Sequence, residues 1–325
     1  MATADQLKAL IRSHAEGDES RFYATALQVA AHAARSGHSK LAQELRELVD
    51  RAKARGNDPI APTWKTVPIV QPRGELAGVL AASYPQTHLR DLVLARSTFD
   101  RLSRVVLEQR QREEIRSHGF SPIRRLLLVG PPGTGKTMTA AALAGELGLP
   151  LFSIQLDGLI TKFMGETAAK LRLVFEAMAT TRAVYLFDEF DALGGDRAAS
   201  NDVGEIRRVL NSFLVLLEQD KSDSIVVAAT NHPSLLDRAL HRRFDIAIEY
   251  ALPSRDEVRA VAQARLAALD VSRIDWDAIE CAGEGLSHAD VTRGCEHAAK
   301  NAILRGERVV TTDELVCALR ERRRD

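Results

Sequence analysis

Eight consecutive residues, Gly130, Pro131, Pro132, Gly133, Thr134, Gly135, Lys136 and Thr137, carry the clearest chemistry in the chain. They fit the spacing G-x-x-x-x-G-K-[ST]. They follow a short apolar run, residues 126–129, and lead into an alanine-rich stretch from Met138 to Leu147 that reads as a helix. Glycines so spaced let backbone N–H groups curl around phosphate oxygens, and the helix behind them turns the positive end of its dipole to the same point. Lys136 is expected to neutralise the β and γ oxygens of a nucleoside triphosphate. Thr137 is expected to hold Mg2+ through its hydroxyl. Gly130 through Met138 are therefore the candidate nucleotide-binding residues.

A second site feature is "VYLFDEFDAL". Here Asp188 and Glu189 end an apolar run that reads as a buried strand. Burying such acids without a partner would cost several kcal/mol. A metal ion removes that cost, with Asp188 binding Mg2+ through water. Glu189, one residue on, can orient or deprotonate an attacking water. Asn231 follows the apolar run "IVVAAT", at the end of a strand where ligands of such sheets sit. Its amide could hold that water or sense the γ-phosphate; a plain turn residue is the alternative. Arg242 and Arg243 stand together just before a last strand. The motif residues include no second cation beside Lys136. An arginine supplied by a neighbouring subunit, worth roughly 10³–10⁵ in rate, would complete the site between subunits. The spacing leaves open which of the two arginines does so.

A third stretch, "LITKFMGE", sets Phe163 and Met164 side by side between Lys162 and Gly165 in what reads as a loop. Exposed large apolar pairs usually have a binding reason.

These residues need a frame. From about Leu89 short apolar or β-branched runs alternate with helical stretches; strands are expected at 126–129, 151–155, 183–187, 225–229 and 246–249. That alternation predicts an α/β fold, a parallel sheet covered on both faces. After Pro253 the pattern is helical to the end. Residues 1–55 read as three short amphipathic helices with stripes such as Leu41, Leu45, Leu48 and Val49. Residues 56–88 are proline-rich and read as a linker. The expected division is a helical bundle over 1–55, the linker over 56–88, an αβα subdomain over 89–252 and a helical subdomain over 253–325.

Composition narrows the function. The 325 residues are 27% charged and 45% hydrophobic, with zero formal net charge. No domain-wide basic field points to nucleic acid or an anionic membrane. The N-terminal segment lacks an apolar signal core and no run approaches 18 apolar residues, so a cytoplasmic protein without a membrane span is expected. Cys281, Cys295 and Cys317 lie far apart without a C-x-x-C spacing, which reads as reduced thiols.

Together these residues resemble the AAA-type ATPases. Gly130–Thr137 resembles that family's Walker A motif, 186–189 its Walker B, Asn231 its sensor 1, and 237–245 its second region of homology. The resemblance covers roughly residues 89–320. It implies a P-loop NTPase αβα domain with a C-terminal helical lid, assembled as a homo-oligomeric ring, usually a hexamer, with ATP and Mg2+ between subunits. The adjacent arginines are similar to the branch containing katanin and spastin. "GLSHAD" resembles the lid turn G-x-S-x-A-D, which makes Ser287 and Asp290 nucleotide-side or lid-fold residues. Arg265 stands where many members have a nucleotide-side His. Lys162-Phe163-Met164-Gly165 resembles the loop that lines the central pore, where an aromatic ring grips a polypeptide by area and shape; 194–208 could hold a second such loop, with Arg197. The resemblance implies ATP-driven remodelling or threading of a protein. The alternatives are an assembly switch without threading and a nucleic-acid motor, against which zero net charge and Phe163 argue. "GETAAKLR", "FDEFDALGG" and "NDVGEIRRVLNSFL" resemble bacterial ATPases paired with a subtilisin-like serine protease in toxin–antitoxin or phage-defence systems.

Overall fold

Apolar runs too short for helices and too uniformly buried for a one-sided sheet make a layer covered on both faces. In the computed structural model, which describes residues 43, 72, 74–159, 164–190, 203–232 and 241–323, the elements follow in chain order. They are β1 (Leu80–Ser83), α1 (Arg96–Arg110), α2 (Arg112–Ser117), β2 (Arg125–Val129), α3 (Lys136–Leu147), β3 (Leu151–Ile154), α4 (Leu156–Leu159), α5 (Met164–Thr180), β4 (Val184–Phe187), α6 (Val203–Gln219), β5 (Ile225–Thr230) and β6 (Ile246–Glu249), then α7 (Arg255–Arg265), α8 (Trp276–Gly283), α9 (His288–Leu304) and α10 (Thr312–Arg322).

The strands form one sheet in the order β1-β3-β4-β5-β2-β6. All neighbours are parallel except β1, which runs antiparallel to β3. Every residue of β4 and β5 is buried. Successive side chains alternate between faces, so each strand feeds two cores. Leu127, Tyr185, Phe187 and Val226 join one cluster with Leu171 and Phe175 of α5 and Phe213 of α6. Leu126, Leu128, Leu186 and Val227 join the other with Leu102 of α1 and Leu143 of α3. The result is the αβα sandwich expected of the P-loop fold, and it sets β2, β4 and β5 side by side so that their C-terminal ends meet.

Helices α7–α10 enclose a third cluster built on Val258, Ile279, Val291, Cys295 and Leu315. Three of them start at reciprocal capping boxes, Ser254 with Glu257, Ser287 with Asp290 and Thr311 with Glu314. Each cap is worth about 1 kcal/mol and fixes where its helix begins.

The structure differs from the expected linker over 56–88. The chain divides into two compact units, Met1–Ile69 and Val70–Asp325, and a 3₁₀ turn at Gly74–Gly78 and strand β1 already belong to the second. Leu80 pairs with Ile154 and Ser83 with Leu151. Leu-Ala-Ala-Ser has no β-branched residue, so β1 owes its form to the free edge of β3 rather than to propensity. Of the first unit only Gln43, in a helix, is described; the bundle expected over 1–55 otherwise lies outside the described residues.

Candidate active site

The loop between β2 and α3 is folded onto itself and onto the lid. Lys136 is almost fully buried, and its Nζ donates to the carbonyls of Gly130, at 2.8 Å, and Pro131, at 2.7 Å. Thr134 Oγ1 donates to the same Pro131 carbonyl at 2.8 Å. The cation is thus held at the centre of the loop by acceptors that phosphate oxygens could replace. Gly133 has φ +75°, and a Cβ there would stand 2.5 Å from Ser287 Oγ. Only glycine meets both conditions. It lets the first turn of α9 come so close that Ala289 N donates to the Gly133 carbonyl at 3.0 Å.

Strand β4 delivers the acids. Phe187 and Phe190, on either side of them, are fully buried. Both pack on Phe213, at ring-centroid distances of 4.9 and 4.8 Å. Asp188 and Glu189 are therefore pinned between two anchored rings. Thr137 Oγ1 donates to Asp188 Oδ2 at 2.6 Å, and Glu189 N donates to Asp188 Oδ1 at 3.0 Å. Glu189 has φ +50°, a left-handed conformation that costs a non-glycine residue about 1–3 kcal/mol and tends to occur where function requires it. Asn231 follows β5 directly and is half-buried.

These side chains open on one cleft of about 530 Å³, lined by residues 132–138, Asp188, Glu189 and Asn231 on the sheet side, and by His288, Ala289, Thr292, Arg293 and Glu296 of α9 on the lid side. That volume is in the range of small-molecule sites. The hydroxyl of Thr137 and the carboxylate of Asp188 are hard oxygen donors in contact, a set that fits Mg2+ bound with substrate phosphates and water. Among the described residues there is no cluster of three or more His, Cys, Asp or Glu that could cage a metal alone.

Arg242 is exposed, and Arg243 is half-buried with its Nε 2.9 Å from Glu218 Oε1. Neither lines the cleft of its own chain. Met164 and Gly165 are the first residues of α5; Lys162, Phe163 and Arg197 lie outside the described residues, as does 233–240 with its part of the second region of homology. Ser287 and Asp290 hold the start of α9, with Ser287 Oγ donating to Asp290 Oδ2 at 2.6 Å. Arg265 pairs with Glu296, a residue of the cleft.

The lid wall escaped the motif reading. Arg293 brings to the cleft a second cation beside Lys136. Its spacing with His288, Thr292 and Glu296 marks one face of a helix, the signal that could have found it. Tyr250, just after β6, was also missed. Its hydroxyl lies 2.7 Å from Thr139 Oγ1, which donates its own proton to Gly135 O at 3.0 Å, so Tyr250 is the donor to Thr139. Burial pushes the Tyr250 phenol up to about 12.

Residues 126–252 match the family described as ATPase family associated with various cellular activities (AAA). An uncharacterized AAA family ATPase, y4kL of Sinorhizobium fredii, is 32% identical over 324 residues, covering 100% of this chain and 96% of that protein. The ATP-dependent zinc metalloprotease FtsH 3 of Sphaerobacter thermophilus is 36% identical over 252 residues, covering 75% of this chain but 51% of its own length, so this chain spans about half of that relative. Among solved structures, the FIGL-1 AAA domain superposes with a TM-score of 0.61 at 26% identity, over 75% of this chain and 85% of that one.

Proposed function

This chain belongs to the AAA family of ATPases and hydrolyses ATP, and we propose that it couples hydrolysis to the remodelling of a protein substrate held in the pore of a ring. The observation that supports the chemical half is the contact of Thr137 with Asp188, with Glu189 as its neighbour and Lys136 at the centre of the loop. In this reading residues 130–138 cradle the triphosphate. Thr137 and Asp188 would hold Mg2+, which when bound would neutralise charge on the triphosphate. Glu189 takes a proton from the attacking water, and Asn231 holds that water in line. Arg242 and Arg243 act on the neighbouring subunit's nucleotide; their position away from their own cleft favours that role.

The mechanical half rests on the family and on the sequence of residues 162–165. Phe163 would grip the substrate backbone and side chains by area, Met164 would adapt to irregular shapes, and Lys162 and Gly165 would border them. A ring homo-oligomer, usually a hexamer in this family, acting on a polypeptide is the assembly proposed. The finer proposal, a subtilisin-like serine protease as partner in a toxin–antitoxin or phage-defence pair, rests on the sequence resemblance alone. So does a cytoplasmic location; among the described residues no helix is long and apolar enough to cross a membrane.

Two variants test the scheme. Glu189→Gln should keep ATP bound and slow hydrolysis by about 10²–10⁴, the usual contribution of a general base, and proteins crosslinked to that trapped form should include the substrate. Phe163→Ala should keep hydrolysing ATP while substrate processing stops. A Phe163→Ala protein that still regulates its partner would instead identify an assembly switch.

A further inference from the structure

Arg125 opens β2 at the edge of the sheet opposite the cleft. Its side chain is half-buried. Nη2 donates to the Asp220 carbonyl at 3.3 Å, a long bond to a neutral acceptor. Nε is shielded from solvent and has no hydrogen-bond partner among the described residues. Buried charge is normally met by opposite charge, and an orphaned donor on a cation calls for a reason.

Three acids among the described residues act on this guanidinium, Asp245, Asp220 and Glu218. Burial and the adjacent Arg124 lower its pKa in spite of them. Two of the acids are committed elsewhere. The Asp220 carboxylate is held by Arg124. Asp245 Oδ2 accepts the backbone N–H groups of Arg124 and Arg125, both at 2.9 Å, and so fixes the start of the strand. The third, Glu218, stands in the last turn of α6, two residues before Asp220, and its Oε1 is 2.9 Å from Arg243 Nε. Arg125 is thus tied to both members of that pair. Its side chain reaches the segment of Glu218 at Asp220. Its carbonyl accepts the N–H of Asp245, two residues after Arg243, at 2.9 Å.

We propose that Arg125 is a positioning residue, the second partner of Glu218: when Arg243 turns to the neighbouring subunit's nucleotide, the Glu218 carboxylate passes to Arg125 Nε. The inference rests on the reading of Arg242 and Arg243 given above. The Arg243–Glu218 pair is partly exposed on both sides, and pairs of that kind are weak. A triphosphate, with its higher charge, can therefore draw Arg243 away. Arg125 makes the exchange easier because it offers the released carboxylate a cation already in place. Without that cation Glu218 has Arg243 as its partner and keeps it in its own subunit for longer.

The test uses the full chain and the residue at 218 as a second variable. Arg125→Gln can still donate to the Asp220 carbonyl but brings no charge to Glu218. It should keep the wild-type affinity for ATP, measured by calorimetry with Mg2+, and lower kcat for ATP hydrolysis roughly 3- to 10-fold, as the loss of one partly exposed charged pair allows. Glu218→Gln releases Arg243 whatever stands at position 125. Adding it to Arg125→Gln should therefore bring kcat back to that of Glu218→Gln alone. Arg125→Lys, which keeps the charge, should recover most of the lost turnover. Arg125→Met serves as a second neutral variant, with the same expected loss and the same rescue. A merely structural Arg125 would lower Tm and kcat equally with either residue at 218. That outcome overturns the inference, and so does an unchanged kcat in Arg125→Gln. Full turnover in Arg243→Ala would instead remove the reading of Arg243 on which the inference rests.

Discussion

Replacing Gly145 by Ala sets two physical effects against each other. Gly145 lies within α3, the helix that begins at Lys136. In a helix with free space around it, Gly→Ala stabilises by about 0.8–1 kcal/mol. Here the new Cβ would stand 2.1 Å from the carbonyl oxygen of Thr87 and 3.2 Å from that of Pro85. Backbone oxygens cannot swing aside as a side-chain tip can, so residues 85–87 would have to lift off the helix. That segment is tied down at its end. Leu89 is buried, its N–H donates to Glu146 Oε1 at 3.3 Å, and Glu146 Oε2 pairs with Arg110 at 3.0 Å. Overpacking costs about 1–3 kcal/mol, and loosening the Glu146 contact adds about 1 kcal/mol. After subtracting the propensity gain, Gly145→Ala should destabilise by about 1–3 kcal/mol. For a unit of this size that lowers Tm by roughly 2–10 °C, to be read by calorimetry together with a urea titration. A rise in Tm of a few degrees would show that propensity acts alone. It would remove the claim that residues 74–91 are built onto the ATPase unit.

Tyr250→Phe removes the donor to Thr139 but leaves Thr139 bound to Gly135. It should cost about 1 kcal/mol of stability and raise the KM for ATP a few-fold with less effect on kcat; unchanged KM and Tm would mean that the phenol does not hold the loop. Burial pushes the Cys295 thiol up to about 12, whereas Cys281 and Cys317 are exposed. At pH 8 a thiol reagent should therefore modify Cys281 and Cys317 promptly and Cys295 only after denaturation, and prompt reaction of Cys295 would refute its place in the lid core. Arg242→Ala and Arg243→Ala should each bind ATP, and at least one should lose hydrolysis by about 10³ or more. Full turnover in both would dismiss the shared site. The ion pair with Glu218 is partly exposed, so Arg243→Ala should shift Tm by a degree or two at most.

What was legible in the sequence was what lies close together in it. The strands β2 to β6 fall within about a residue of the apolar runs that predicted them, because a strand buried on both faces has to be apolar throughout. Asp188 and Asn231 reach one cleft because each directly follows a central strand, and Lys136 and Thr137 join them because they open the helix that the loop after β2 leads into. β1 was hidden because Leu80, Ala81, Ala82 and Ser83 carry little strand preference, and the partner that recruits them, β3, lies about seventy residues away in the chain. The lid wall was hidden for a similar reason. His288, Thr292, Arg293 and Glu296 look like the solvated face of a helix until the loop at Gly133 is laid against its first turn. Arg265 could be placed beside a nucleotide by resemblance, but its pairing with Glu296 depends on packing between α7 and α9, which no motif encodes.

The loop that would cradle the phosphates is gripped by the lid and by the segment that leads into it. Ala289 N, in the first turn of α9, holds Gly133 O, and Tyr250, four residues before the cap of α7, holds Thr139 and packs on Gly130. A displacement of the lid therefore has to act on the loop, and a change in the loop has to act on the lid. The magnitudes allow traffic in both directions. Each of these hydrogen bonds is worth about 1 kcal/mol net, while a nucleotide bound at micromolar affinity contributes about 8 kcal/mol. Two such bonds are strong enough to give the lid a preferred position and too weak to resist a ligand that favours another. A loop locked by many contacts would bind nucleotide without moving anything. One with none would bind it without the lid registering the event.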